Sequence, residues 1–490
     1  MTKEIRIVSS LCAITSLCFT LFLTACGGGA SSTPTPAPST AKEWTWMSGS
    51  STVNANGGPP GVYGTLGVTS TANVPGGRQL AVSWTDSSGN FWLFGGYGFD
   101  SAGIGGDLND LWEFNPVSKA WTWESGSSTV PQQYYGQPGV YGTQGVAAAS
   151  NVPGGRYTAV RWTDSSGNLW LFGGDGFYST SAQGLLNDLW EFSPTTKEWT
   201  WVGGSDTGEA KGVYGTQGVA SASNVPGARS DAVGWTDSSG NFWLFGGHGP
   251  GSNPMVSADG WFNDLWEFSP TTKMWTWVSG SNTENAVSVY GTLGTASASN
   301  VPGAREDAVS WIDNSGNLWL FGGISFNSTG GDTRWLNELW EFNLTTKMWT
   351  WMGGSNTSAD GAPGVYGTLG VASTSNFPGS RESAISWTDS SGNFWLFGGE
   401  GFDSAETYGI LNDLWEFNPT TKEWTWMSGS NTANASGIYG TLGVPAAANV
   451  PGGRKGAVSW IDSGKNLWLF GGGGSALAQG DLNDLWRFQP

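Results

Sequence analysis

Two tryptophans and four acids break the pattern that governs the rest of this chain, and their types suit them to binding. Trp261 and Trp335 stand where corresponding stretches carry Asp107, Leu185, Ile410 or Asp481. An indole face can stack on a sugar ring or anchor a protein partner. It can equally cover the long loops beside it. Asp231, Glu306, Asp307 and Glu382 fall in the pairs Ser230-Asp231, Glu306-Asp307 and Glu382-Ser383, where other stretches have Gln79-Leu80, Tyr157-Thr158 and Lys455-Gly456. Such an acidic arc can hold a cation, hydrogen-bond hydroxyl groups or form a solvated rim. Two carboxylates can also serve as acid and base in a hydrolase, but no spacing here supports that pair, and no catalytic residue is assigned. The chain has 1 His, His248, and 3 Cys, at 12, 18 and 26. No Cys/His metal cluster, Ser-His-Asp set or phosphate-cradling glycine loop is in view, so neither metal nor cofactor is expected.

Composition narrows the classes further. The 490 residues carry 39 Asp and Glu against 20 Lys and Arg, a formal net charge of −19. Phosphate backbones demand a basic patch, so nucleic acid is excluded as a partner. Cations, basic proteins and neutral polymers such as glycans remain. Glycine is abundant at 78 residues but follows no Gly-x-y period, so the chain is not collagen-like.

The elements that position these residues come from a long repeat. The stretch LNDLWEFNPTTKEWTW at Leu411 to Trp426 returns six times, beginning at Leu108, Leu186, Phe262, Leu336, Leu411 and Leu482. A fixed period of this length marks a solenoid, propeller or array. In one copy, Ser383 to Thr388 alternates as a strand does, and Asp389 to Asn393 is a turn. Phe394 to Phe397 is a short apolar strand ended by Gly398-Gly399. Asp413 to Phe417 is a third strand, Asn418 to Lys422 a second turn, and Glu423 to Met427 a fourth strand. Four short antiparallel strands per copy predict an all-β propeller. The 32 tryptophans support this, because 30 of them recur at five positions in each copy. Packing between blades accounts for those 30, leaving Trp261 and Trp335. The six arginines Arg78, Arg156, Arg229, Arg305, Arg381 and Arg454 also recur, as do the acids Asp110, Asp188, Asp264, Glu338, Asp413 and Asp484. Sixfold recurrence predicts structural Arg–carboxylate pairs.

The apolar strand ending in Gly-Gly, Trp415, the turn and Trp424 together resemble the kelch repeat across about residues 43 to 490. The resemblance implies a propeller like the central one of galactose oxidase. It does not bring that enzyme's copper site, which needs two His, two Tyr and a Cys. A departure is the interval of about 30 residues before each Arg, as in Gly364 to Arg381. The turn at Thr85 to Trp92 is similar to the Asp-box of sialidases, but its Gly and Trp lie one residue too far from the Asp. The expectation is a six-bladed kelch-type β-propeller. Its ring is closed by the N-terminal strand, Glu43 to Trp46, joining the blade that begins at Arg454. Connections between second and third strands and between blades lie on one face, which carries all the variable segments and both extra tryptophans.

Residues 1–25 read as a signal peptide, with Lys3 and Arg6 before an apolar run. Leu23-Thr24-Ala25-Cys26 resembles the lipobox of bacterial lipoproteins, which implies lipidation of Cys26. Gly27 follows the Cys, which by family analogy favours the outer membrane or cell surface. Residues 26–42 form a Ser/Thr/Pro-rich tether, and residues 43–490 the propeller. The functional expectation is a monomeric envelope protein that touches the membrane only through its lipid and binds a glycan or a protein. Alternatives are an assembly scaffold without a small ligand and an enzyme of unknown reaction.

Overall fold

The computed structural model describes residues 42–133, 135–251, 259–326, 333–357, 361–475 and 479–490. The signal segment, Cys26 and the tether up to residue 41 lie outside the described residues. The described residues contain no helix. They form small antiparallel sheets, among them six meanders of four strands, an arrangement consistent with the blades of a propeller.

One meander shows how the sequence builds each of them. Val82–Thr85 pairs with Phe91–Phe94, with Trp84 opposite Trp92. That strand pairs with Leu111–Asn115, which pairs in turn with Ala120–Ser125 across a bulge at Leu111/Trp112. The Asp86-to-Asn90 turn is tied by its first residue. Asp86 Oδ1 accepts from the backbone N–H of Ser88 and Asn90 at 2.8 and 2.9 Å, and Oδ2 accepts from Trp92 Nε1 at 2.9 Å. Gly89 sits at φ +81°, a conformation that costs glycine little. The other recurring turn ends in a lysine whose ammonium lies over a tryptophan of the preceding copy. Lys197 lies 4.4 Å from the Trp92 ring centroid and Lys273 4.2 Å from that of Trp170. The short, near-identical turns are therefore structural ties.

Hydrophobic clusters join the meanders pairwise. Trp84, Trp92 and Phe94 pack with Leu169, Trp190 and Trp199 of the second meander, and Trp162 and Phe172 pack with Phe242 and Trp266 of the third. Phe91, Trp112 and Trp121 of the first pack with Trp460, Trp468 and Phe470 of the last. Flat stacks recur at these seams: Phe91 on Trp460 at 5.2 Å and 8°, and Trp162 on Phe242 at 5.2 Å and 4°. Each such pair contributes about 0.5–1.5 kcal/mol beyond the area it buries. Glu43–Ser48 pairs antiparallel with Gln479–Gln489, Trp44 opposite Phe488 and Trp46 opposite Trp486.

The intervals of about 30 residues have a definite task. Each folds back on itself, as in the Val62–Val74 bridge, and runs along the outer edge of the fourth strand, as in the Ser70–Trp121 bridge. Asn73 Nδ2 donates to Val68 O at 3.0 Å and to Trp121 O at 3.1 Å. Asn449 does the same for Trp44 O at 3.1 Å. An edge strand left bare is a template for aggregation, and the intervals cover it.

Candidate functional site

The site lies where the first strands begin, and buried ion pairs hold its base. Arg78 Nη1 and Nη2 donate to Asp110 Oδ1 and Oδ2 at 2.7 and 2.8 Å. Tyr63 O–H and Trp112 Nε1 both donate to Asp110 Oδ2, at 2.6 and 2.7 Å. Neither charged side chain is more than 1% exposed. A buried pair persists when its remaining lone pairs and protons are satisfied in this way. The recurrent tyrosine belongs to the interval, so the interval locks the arginine as well as the strand edge. The fourth copy departs from this, since the longer Glu338 also takes Arg334 at 3.1 Å.

Above these pairs the connection between second and third strands is not a loop but a second, smaller sheet. Arg78–Gln79 pairs with Tyr97–Phe99, which pairs with Gly105–Asp107. The same unit recurs as Arg305–Glu306, Ile324–Phe326 and Thr333–Trp335. In the fifth copy it is Arg381–Glu382, Glu400–Phe402 and Tyr408–Ile410. The variable positions therefore stand on paired strands.

The residue two after each arginine adopts a left-handed backbone: Leu80 at φ 58°, Thr158 at 54°, Asp231 at 56°, Asp307 at 56°, Ser383 at 48° and Gly456 at 60°. These six residues form a cycle of backbone hydrogen bonds. Each N–H donates to the carbonyl of its counterpart in the preceding copy, at 2.6 to 3.1 Å, and Leu80 donates to Gly456. Left-handed φ is unfavourable for Leu and for β-branched Thr, and six backbone bonds in a ring offset it. Asp231 and Asp307 are members of this cycle, and Glu306 and Glu382 precede two members. The structure thus brings all four predicted acids to one mouth.

Their electrostatics are those of carboxyls held away from bulk water. Burial, then the charge of neighbouring Asp307, pushes Glu382 up to about 8, with Lys455 and the Trp335 indole opposing. Burial and Asp307 raise Glu306 to about 7, against the Trp261 indole. Asp231 is pushed well above the carboxylate range by burial and by Asp307 and Glu306, and burial raises Asp307 too. Near neutral pH Glu382 keeps its proton and Glu306 shares one about evenly with water. A protonated carboxyl both donates and accepts, which suits a hydroxyl-bearing ligand better than a cation. Among the described residues, no group of three or more His, Cys, Asp or Glu is arranged to hold a metal ion.

Of the two readings of the extra tryptophans, as stacking faces or as covers for the loops beside them, the burial of Trp261 fits the second: it is only 7% exposed and packs with Ala304 and Ile324. Its backbone is pinned to Asn285, whose N–H donates to Trp261 O at 2.7 Å and whose Oδ1 accepts from Trp261 N at 3.0 Å. Its indole thus covers its neighbours and also meets the Glu306 carboxyl. Trp335 is half-buried against the same cluster. It also reaches the next copy, 4.8 Å from Tyr408 and 5.9 Å from Phe402 between ring centroids. Tyr408 is 40% exposed, and it is the aromatic that sequence reasoning missed. Burial, then Glu382 and Glu400, raises its phenol. Lys455 pairs with Glu400 beside it. Tyr408 follows the segment Gly401 to Thr407, whose length differs from copy to copy, so no repeated position drew attention to it.

No protein-family model and no curated protein matches the chain. Among solved structures, one titled "Structure of YjhT" aligns at 15% identity and a TM-score of 0.48, covering 85% of this chain and 96% of that one.

Proposed function

We propose that this chain is an exported, six-bladed kelch-type propeller, lipid-anchored through Cys26 at the outer membrane or cell surface, whose acidic mouth binds a glycan. The ring reading is supported by the packing of first on last meander, by the pairing of Glu43–Ser48 with Gln479–Gln489 and by the six-membered backbone cycle. The binding reading rests above all on one juxtaposition: half-buried Trp335 and exposed Tyr408 border the carboxyl of Glu382 on paired strands. An apolar ring face beside groups that donate and accept is the chemistry of sugar recognition. Rigid strands keep the ordering cost of binding low. The Trp261 indole meets Glu306, and Asp231 and Asp307 line the cavity between the first strands.

The test is a glycan-array screen with Tyr408→Ala and Trp335→Ala variants beside it, each first shown to melt normally. A hit lost with Tyr408→Ala supports the reading. A hit retained in both variants places the ligand elsewhere and refutes this site. No hit in any arm refutes the glycan, and co-purification of one envelope protein would then make the mouth a protein-docking surface.

A further inference from the structure

A second feature lies deeper along the first strands and at the opposite end from the acids. Four side chains at the position two after the alanine of each first strand are serines, Ser83, Ser310, Ser386 and Ser459, and one is Gly234. The sixth is Arg161. These residues line the space between the first strands, together with Ala81, Ala159, Ala232, Ala308, Ala384 and Ala457. All four serine hydroxyls repeat one bond: Ser310 donates to Gly234 O, Ser386 to Ser310 O, Ser459 to Ser386 O and Ser83 to Ser459 O, at 3.2–3.3 Å.

Arg161 is the one charge on this wall. Its guanidinium reaches across to the Ser83 hydroxyl. Among the described residues it forms no ion pair, in contrast to the six arginines at the mouth. Burial alone pulls it down to about 10, with no neighbouring carboxylate offsetting the loss of water. Yet the side chain is open to the cavity it borders. Its bond to Ser83 uses only one of the guanidinium's five N–H donors, and the rest are left to the cavity. Gly234 leaves the wall bare at the neighbouring position. The cavity that Arg161 enters has a volume of about 400 Å³. Beyond the serines its open border is formed by the half-buried Ile312 and Ile461, while the indoles of Trp235, Trp311, Trp387 and Trp460 are turned away into the buried clusters between meanders.

We propose that this cavity binds the carboxylate of a small organic acid, with Arg161 gripping the carboxylate and Ile312 and Ile461 accommodating the acid's apolar body. The guanidinium fork matches a carboxylate's two oxygens, and serine hydroxyls beside it are further donors. The apolar border distinguishes this from a site for a bare inorganic anion. The ligand enters from the end that carries the short turns, because the other end presents the acids. This site is independent of the glycan reading at the mouth.

The experiment is isothermal titration calorimetry of the full chain with benzoate, with benzamide as the uncharged analogue and inorganic phosphate as the purely ionic one. Arg161→Ser restores the residue that four other copies carry, so it folds if the repeat logic holds. Arg161→Gln keeps a polar hydrogen-bonding side chain without the charge and serves as a second variant. Benzoate binding in the millimolar range or tighter, weakened about tenfold or more in either variant, with no heat from benzamide, is the expected result. Binding unchanged in the variants overturns the role of Arg161. Phosphate binding without benzoate binding overturns the organic acid, and no binding of either anion overturns the site. Loss of glycan binding in Arg161→Ser would show that the two ends are not independent.

Discussion

Replacing Glu382 by Gln removes one titrating group from the mouth while keeping its shape, and the consequence depends on pH in a defined way. Glu382 is 9% exposed. Burial first, then Asp307, raises it from the ordinary 4.5 to about 8, despite Lys455 and Trp335. Below pH 4.5 both folded and unfolded chains hold the proton, and the group has no effect. Between 4.5 and 8 the folded chain keeps a proton that the unfolded chain has released. The folded state then binds more protons, so stability falls as pH rises, and it levels off above 8. At about 1.4 kcal/mol per unit, the full shift corresponds to about 5 kcal/mol. The compact unit runs from Ala41 to Pro490. For that length the unfolding entropy is about 0.9 kcal/mol per degree, so 1 kcal/mol moves Tm by about 1 °C. Melting curves followed by circular dichroism at pH 4 and pH 9 should therefore show the variant's Tm gaining about 5 °C on the native protein between the two conditions. The difference at pH 4 absorbs whatever the amide itself does to packing, so only the change between conditions counts. A difference that stays flat from pH 4 to 9 would mean that Glu382 titrates normally, and the picture of proton-bearing carboxyls facing a glycan would be wrong.

Three further outcomes are expected. Asp188→Asn leaves Arg156 charged and buried at 0% exposure; it should cost about 3–5 kcal/mol, lowering Tm by roughly 3–5 °C, whereas Tyr141→Phe, which removes a single 2.7 Å bond to Asp188, should cost only about 1 kcal/mol. Asn449→Ala removes the donor to Trp44 O and Val444 O, so limited proteolysis should cut near Glu43–Ser48 faster than in the native protein. Cys26→Ser should abolish metabolic labelling with a fatty acid and release the chain from the membrane fraction; labelling that persists would refute the anchor.

What the chain discloses directly is what it repeats. Strand, turn and Gly-Gly are local, so a period of about 75 residues exposes them. The pairing of each recurrent Arg with the acid of the third strand follows from their shared count. The partners of those pairs are harder to see. Tyr63 meets Asp110 across 47 residues, and nothing in the interval's Gly-rich composition marks one tyrosine as a ligand of a buried carboxylate. The intervals themselves read as insertions of open purpose, because edge covering is visible only once the fourth strand is in place. Whether Trp261 stacks on a ligand or covers its neighbours is not legible in the sequence, because the paired strands His248–Pro250 and Asp259–Trp261, which set its burial, lie in a segment that varies between copies. The left-handed backbone at Leu80 and Thr158 carries no residue-type signal at all, since it is imposed by neighbours in the cycle and not by the side chain.

Arg161 shows why repetition conceals as well as reveals. It occupies a serine position in an alternating strand, and in sequence it reads as one more solvent-facing residue. Its environment comes from five other strands, each contributing one residue to the same wall. A symmetric wall of small hydroxyls has no preferred ligand, because every position offers the same donor. One guanidinium beside one glycine breaks that equivalence and gives the cavity a direction. The same argument applies at the mouth, where Glu306, Glu382 and Tyr408 occupy three of the positions that differ between copies. Where all six copies agree, the residue holds the sheets together, as the thirty tryptophans and six arginines do. Where one copy departs beside a cavity, as Arg161 does with a single bond to Ser83, donors are left that the packing of the sheets does not use, and binding a ligand is the role proposed for them.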